Sequence, residues 1–197
     1  VSSESIEVEF SPIGAVRGEA KILVGIQRAL INRPGAVSAA RGLSHFGEHS
    51  LGWLAIAGAG VAVSAARGDI EGRNRWAMAG VGAFGAHAAS VVIKRVVRRK
   101  RPHHPDITIG VSTPSKLSFP SSHATSTTAA AILIGRAAGF DRTVLPAVIV
   151  PPMLMSRLVL GVHYPTDVIG GALIGATCAA ALTTGERLIR TENRGVQ

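Results

Sequence analysis

Five uncharged apolar runs, set between basic or polar connectors, constrain this 197-residue chain more than anything else in it. They cover residues 51–66, 76–93, 124–134, 143–155 and 168–184. A water-soluble bundle can bury one such run, but five are hard to hide in a core of this size. The chain is therefore read as an all-α, polytopic membrane bundle of about five spanning helices. Several runs fall short of the roughly 20 residues that cross a bilayer, so flanking residues or local thinning must close the gap. The third run extends past Arg136 to reach Gly139. Gly, Ala, Ser and Thr are dense in the runs, as where membrane helices pack closely. Pro151 and Pro152 should kink the fourth helix, with neighbours satisfying the freed carbonyls. His87, alone in the second run, reads as a satisfied interior histidine.

Charge narrows the class further. Lys and Arg number 21 against 12 acids, a formal charge of +9. An apolar yet basic chain fits a membrane protein with charged loops or a nucleic-acid binder. Aromatic residues are only 4% of the chain, so stacking platforms for bases are scarce and no nucleic-acid partner is expected. Cys178 is the sole cysteine, which excludes an intrachain disulfide and leaves the redox compartment open. Length predicts one domain over 1–197, with a tail and interfacial helix in 1–49 and a catalytic bundle in 50–185. Residues 1–18 read as a surface segment without a cleavable signal pattern. Residues 19–33 place Ile22, Leu23, Ile26, Leu30 and Ile31 at helical spacing, with Lys21, Gln27, Arg28 and Arg33 between them. This predicts an amphipathic helix lying in the membrane interface, apolar face toward lipid, ended by Pro34.

The connectors carry the chemistry. In residues 156–167, SRLVLGVHYPTD, Pro165 suits the first position of a helix. His163 then sits just outside that helix and Asp167 in its first turn, where its carboxylate can hold the imidazole in one tautomer. A polar connector between buried helices is the plain alternative. Helix alternation decides against it. The second run ends at the basic stretch 94–101 and the third opens at 120–123. The fourth ends at Ser156 and Arg157, and the fifth begins after His163. All four points fall on one face of the membrane. Lys94, Arg101 and Arg157 there offer a cationic cradle suited to phosphate oxygens. A helix opening at Pro120–His123 adds free amides and a dipole that favours an anion. His163 is placed to attack phosphorus and His123 to protonate the departing oxygen. Only Asp106 and Asp167 are acidic in these loops, so no metal and no other cofactor is expected.

Lys94-x6-Arg101-Pro102, Pro120-Ser121-Ser122-His123 and Ser156-Arg157-x5-His163-x3-Asp167 together resemble the three-part signature of the type 2 phosphatidic acid phosphatase superfamily. That superfamily includes membrane lipid-phosphate phosphatases, soluble acid phosphatases and vanadium haloperoxidases. The resemblance implies that Lys94, Arg101, Ser121, Ser122, His123 and Arg157 bind the phosphoryl group. It implies that His123 is also the acid, and that His163 with Asp167 forms the nucleophilic pair. Ser122 stands where the family usually has glycine, adding a hydroxyl or crowding the approach. Arg95, Arg98, Arg99 and Lys100 lie outside the signature and read as a solvated basic loop facing anionic headgroups.

The expected activity is metal-independent hydrolysis of a lipid phosphate through a phosphohistidine. The expected partners are that lipid and the bilayer, with oligomeric state open. Polyprenyl phosphates or diphosphates, phosphatidate and phosphatidylglycerophosphate all fit a site at the membrane face. An Ala-, Gly- and Arg-rich composition points to a GC-rich bacterium, and resemblance to small members of the family then adds the actinobacterial cell-wall precursor decaprenyl-phosphoryl-phosphoribose as a candidate. A non-catalytic lipid-binding protein would not need both histidines and Asp167. A haloperoxidase would not need five spans. Thirteen of the 21 basic residues fall on the catalytic face, which by the positive-inside rule places the site on the cytoplasmic side of a bacterial inner membrane.

Overall fold

The computed structural model describes residues 17–195. The surface segment read over residues 1–18 therefore lies almost wholly outside the described residues. Seven α-helices and no strand occur among those described: α1 (Glu19–Leu30), α2 (Ala36–Gly47), α3 (Leu51–Ala66), α4 (Ile70–Val97), α5 (Ser122–Ala137), α6 (Val144–Val159) and α7 (Pro165–Gly195). One turn of 3₁₀ helix, Glu48–Ser50, joins α2 to α3.

Helices α4 and α7 are each long and apolar enough to cross a membrane, as is the stretch Ala36–Ala66 that holds α2 and α3, and α6 is a shorter apolar helix. The side chains they turn outward are apolar: Ile56, Val63, Val81, Phe84, Val148, Ile169 and Leu173 are all exposed. A surface of that kind is stable against acyl chains and not against water. Helix α5 differs. Thr125, Ser126, Thr127 and Thr128 are buried, as are Ala129, Ala130 and Ala131. Helices α4, α6 and α7 pack around it. Its hydroxyls meet protein, not lipid; Thr127, for instance, accepts a hydrogen bond from Trp53 Nε1 at 3.1 Å.

Small residues let these helices approach. A Cβ built on Gly171 would lie 2.7 Å from the Ser121 carbonyl oxygen, and one on Gly175 would overlap the Thr125 carbonyl. Gly171, Gly175 and the buried Ala179 recur every four residues, so α7 presents a flat stripe to α5. The closely packed core is correspondingly rich in alanine, with Ala79, Ala83, Ala86, Ala129, Ala130 and Ala179 around Trp53 and Leu133.

The N-terminal region departs from expectation. The helix read over 19–33 ends at Leu30, and a second helix, α2, follows Pro34 where none was read. The apolar face of α1 is also turned to protein. Leu23 and Val24 are buried against Leu158 and Val168. Gln27 donates to the Val159 carbonyl at 3.0 Å and the Thr108 carbonyl at 2.7 Å, and accepts from the Thr108 amide. Between α2 and α3 the backbone takes left-handed geometry at two consecutive non-glycine residues, His49 (φ 48°) and Ser50 (φ 63°). That conformation costs about 1–2 kcal/mol per residue, and the kink it makes brings His45, Glu48 and His49 to the cavity described next.

Candidate active site

The ends of α4 and α6, the starts of α5 and α7, and the α2–α3 kink meet at one end of the bundle. They enclose a cavity of about 330 Å³. Lys94, Arg101, Ser122, His123, Arg157 and His163 all line it, and residues 111–115 fold back over it. Six of the eight residues singled out from the sequence thus converge. Asp167 lies behind His163. Ser121 does not line the cavity. Its side chain caps α5 by accepting from the Ala124 amide, and its own amide donates to the Asp167 carbonyl, tying α5 to α7.

His163 is 2% exposed. Its Nε2 lies 3.2 Å from Arg101 Nη1. A guanidinium has only donors to offer, so Nε2 is the acceptor and the ring proton sits on Nδ1. Nδ1 faces Asp167 Oδ2 at 3.7 Å, within ion-pair range but longer than a hydrogen bond. Burial, then the charges of Arg101, Arg157 and Lys94, hold the His163 pKa well below the usual 6.5. The imidazole is therefore neutral, and its Nε2 lone pair accepts from Arg101 at the cavity wall.

Asp167 is fully buried. Its Oδ2 accepts from the Tyr164 amide at 2.8 Å, which fixes the first turn of α7, and its Oδ1 accepts from Arg99 Nη1 at 2.9 Å. The reading of Arg99 as part of a solvated loop is thereby corrected. Arg99 also donates to Thr166 Oγ1 at 2.6 Å and to Glu19 Oε1 at 3.0 Å, and stacks 4.3 Å over the Tyr164 ring. Glu19 accepts in turn from the amide and hydroxyl of Thr166. Burial raises the Glu19 pKa, yet the Thr166 and Arg99 hydrogen bonds outweigh it and hold the group below its usual value. A chain Glu19–Arg99–Asp167–His163 therefore runs from the first turn of α1 to the imidazole. Only the basic run around Arg99 hinted at it.

Three cations face His163. Arg101 is anchored on the Ser115 and Val162 carbonyls at 2.8 and 2.7 Å. Burial lowers its pKa to about 10, so it stays charged at neutral pH. Lys94 donates to the Ser118 carbonyl at 3.1 Å and to the Pro120 carbonyl. Arg157 is 2% exposed, yet its Nε and Nη1 have no protein partner. Buried charged donors without an acceptor are costly unless an anion meets them. A phosphoryl group supplies several acceptor oxygens and suits a guanidinium fork.

His123 opens α5, and its Nε2 lies 2.9 Å from the Ser44 carbonyl. A carbonyl only accepts, so Nε2 carries a proton and Nδ1 is left for proton transfer. Gly47 packs on this ring: a Cβ there would lie 2.9 Å from His123 Cδ2. The Ser122 hydroxyl is 2.7 Å from that of Ser90, which is itself 2.6 Å from the His87 carbonyl. Ser90 has one proton and the carbonyl needs it, so the Ser122 proton closes the second bond. The added hydroxyl thus ties α5 to α4 rather than crowding the cationic end. Among the described residues no group of three or more His, Cys, Asp or Glu side chains could hold a metal ion.

A buried imidazole backed by a carboxylate, a second imidazole and three cations, on an all-helical membrane bundle, make a pocket whose chemistry suits a phosphoryl group. The sequence model of the PAP2 superfamily matches residues 75–188, more than half the chain, and the protein belongs to that family. It is 57% identical over 166 residues to the decaprenylphosphoryl-5-phosphoribose phosphatase of Mycobacterium tuberculosis, covering 84% of this chain and 89% of that one. It is 60% identical over 157 residues to the protein of the same name from Mycolicibacterium smegmatis, covering 80% and 83%. The fold matches that of the transmembrane PAP2-type phosphatidylglycerolphosphate phosphatase from Bacillus subtilis, with a TM-score of 0.66, 21% identity and 86% of each chain covered.

Proposed function

We propose that this protein removes the phosphomonoester of a polyprenyl-phosphoryl-5-phosphoribose lipid by a metal-independent, two-step displacement at histidine. Arg101 passes its Nη1 hydrogen bond from His163 Nε2 to a phosphate oxygen, and the freed Nε2 lone pair forms a bond to phosphorus as the bond to the ribose C5 oxygen breaks. That oxygen takes a proton from His123 Nδ1, which collects it from the entering phosphomonoester monoanion, because burial and the Arg157 charge hold the His123 pKa down to about 3 and the ring is otherwise neutral; its Nε2–H stays on the Ser44 carbonyl. A water molecule then attacks the phosphohistidine and gives its proton to His123 Nδ1. The N–P bond breaks and inorganic phosphate leaves. Arg101, Arg157 and Lys94 stabilise the charge on the equatorial oxygens in both steps. Asp167 stabilises the positive imidazole of the intermediate.

The observation that carries the chemistry is the neutral Nε2 of His163 facing the unpartnered donors of Arg157 across one cavity. The substrate class is supported by the mycobacterial relatives, which match this chain over most of its length. We also place the site on the cytoplasmic face of the bacterial inner membrane, since thirteen of 21 basic residues lie at that end. Purified protein in detergent, with chelator present, should release phosphate from the phosphoribosyl lipid with kcat/KM about tenfold or more above that for phosphatidate. His163→Ala should abolish release. No release, a preference for phosphatidate, or loss of activity with chelator would overturn the reading. For sidedness, a Thr113→Cys variant in intact cells should resist impermeant thiol reagents, and labelling from outside would reverse the placement.

A further inference from the structure

The phosphate-binding cations occupy only part of the cavity. Its volume, about 330 Å³, lies within the roughly 300–1,000 Å³ that holds whole small molecules, beyond what a bare phosphate requires. The kink between α2 and α3 brings Glu48 and His49 to the cavity wall with His87 of α4, beside the cations, and Glu48 is near enough to Arg157 for its charge to act on that guanidinium. Glu48 is the one carboxylate lining the cavity among the described residues. Its charge opposes binding of a phosphate nearby, and the family signature does not call for it. Its ion pair within 4 Å is with His45 Nδ1 at 3.8 Å, both side chains at least half exposed, and its charge also reaches Arg157. The carboxylate is thus free to accept other hydrogen bonds. The His49 and His87 rings lie 5.8 Å apart, and His87 Nδ1 is buried without a partner.

A carboxylate only accepts, and its two oxygens can take the protons of two adjacent hydroxyls. Neutral imidazoles have one donor and one acceptor each, which complement the same groups. We propose that Glu48, with His49 and His87 beside it, binds the vicinal hydroxyls of the sugar that bears the scissile phosphate. This wall would then select a glycosyl phosphate over a phosphate on a plain alkyl or glyceride chain. The inference rests on the phosphoribosyl reading above and adds the residues that recognise the sugar.

The test compares two substrates, a polyprenyl-phosphoryl-5-phosphoribose and its 2,3-dideoxy analogue, on wild type, Glu48→Ala and Glu48→Gln. Hydrogen bonds to a charged partner correspond to about 10- to 100-fold in kcat/KM. Wild type should prefer the hydroxylated substrate by that factor, mostly through KM. The ratio should fall toward one in Glu48→Ala and to an intermediate value in Glu48→Gln, whose amide keeps one acceptor. A wild-type ratio near one, or a ratio that survives both substitutions, overturns the subsite. So does an equal loss on both substrates in both variants, which would make Glu48 a support of the fold or the chemistry. Wild type that releases phosphate from neither substrate overturns the phosphoribosyl reading itself.

Discussion

Arg99 shows how a side chain outside the recognisable motif can control one inside it. In the proposed mechanism Asp167, 3.7 Å from His163 Nδ1, steadies the imidazole, and Asp167 is itself held by Arg99 at 2.9 Å. Removing the guanidinium leaves a buried carboxylate without one of its hydrogen bonds. Arg99→Ala should therefore lower kcat about 10- to 100-fold, with KM little changed and Arg99→Lys recovering part of the loss. Unchanged turnover would show that the Tyr164 amide and the Ser118 hydroxyl suffice to place Asp167. The state of His163 is open to direct measurement. Its pKa is depressed, so it stays neutral where a free histidine is half protonated. At about pH 6.5, ¹⁵N spectra of imidazole-labelled protein should show the His163 ring neutral and protonated on Nδ1. An imidazolium, or a proton on Nε2, would contradict the nucleophile assignment. The signature residues were legible because each is a charged or titratable group stranded beside an apolar run. Arg99 was not, since its partners Glu19 and Asp167 lie 80 and 68 positions away and the basic run around it resembles a solvated loop.

Helices α5 and α7 pack against each other with almost no side chain between them. Gly175→Leu should drive α7 off the Thr125 carbonyl and cost about 1–3 kcal/mol, read as a lowered unfolding midpoint in detergent. Gly185→Leu is the control, because a side chain there meets open space. Equal effects at both positions would refute the close-packing argument. The kink between α2 and α3 makes a parallel case. Gly47→Ala should push the His123 ring and lower kcat about tenfold, without the loss of stability expected at Gly175. Helix α3 was read from the sequence with its observed bounds, since its sixteen residues are apolar throughout and end at charged Arg67. The start of α7 was read from Pro165. Helix α2 was missed because AVSAARGLSHFG mixes Ser, Arg, His and Gly with short apolar residues. Its burial comes from α6 and not from a strong apolar stripe of its own.

At the scale of the molecule, apolar runs and convergent loops describe one device. The bundle turns apolar side chains to lipid, buries small polar ones around α5, and gathers its catalytic groups at a single end. The composition and order of the runs made that arrangement legible, because alternating helices must return the same loops to the same face. The docking of α1 was not legible. Its amphipathic pattern fits a lipid interface and a protein surface equally, and Gln27 reaches its partners across 81 and 132 positions of sequence. The central claim is that His163 carries the phosphoryl group between substrate and water. The most direct measurement is rapid quenching into alkali during turnover of ³²P-labelled lipid, followed by mapping of the labelled peptide. The account predicts alkali-stable label on His163, absent from His163→Asn. Label on another residue, or turnover with no protein-bound phosphate at any quench time, would contradict it.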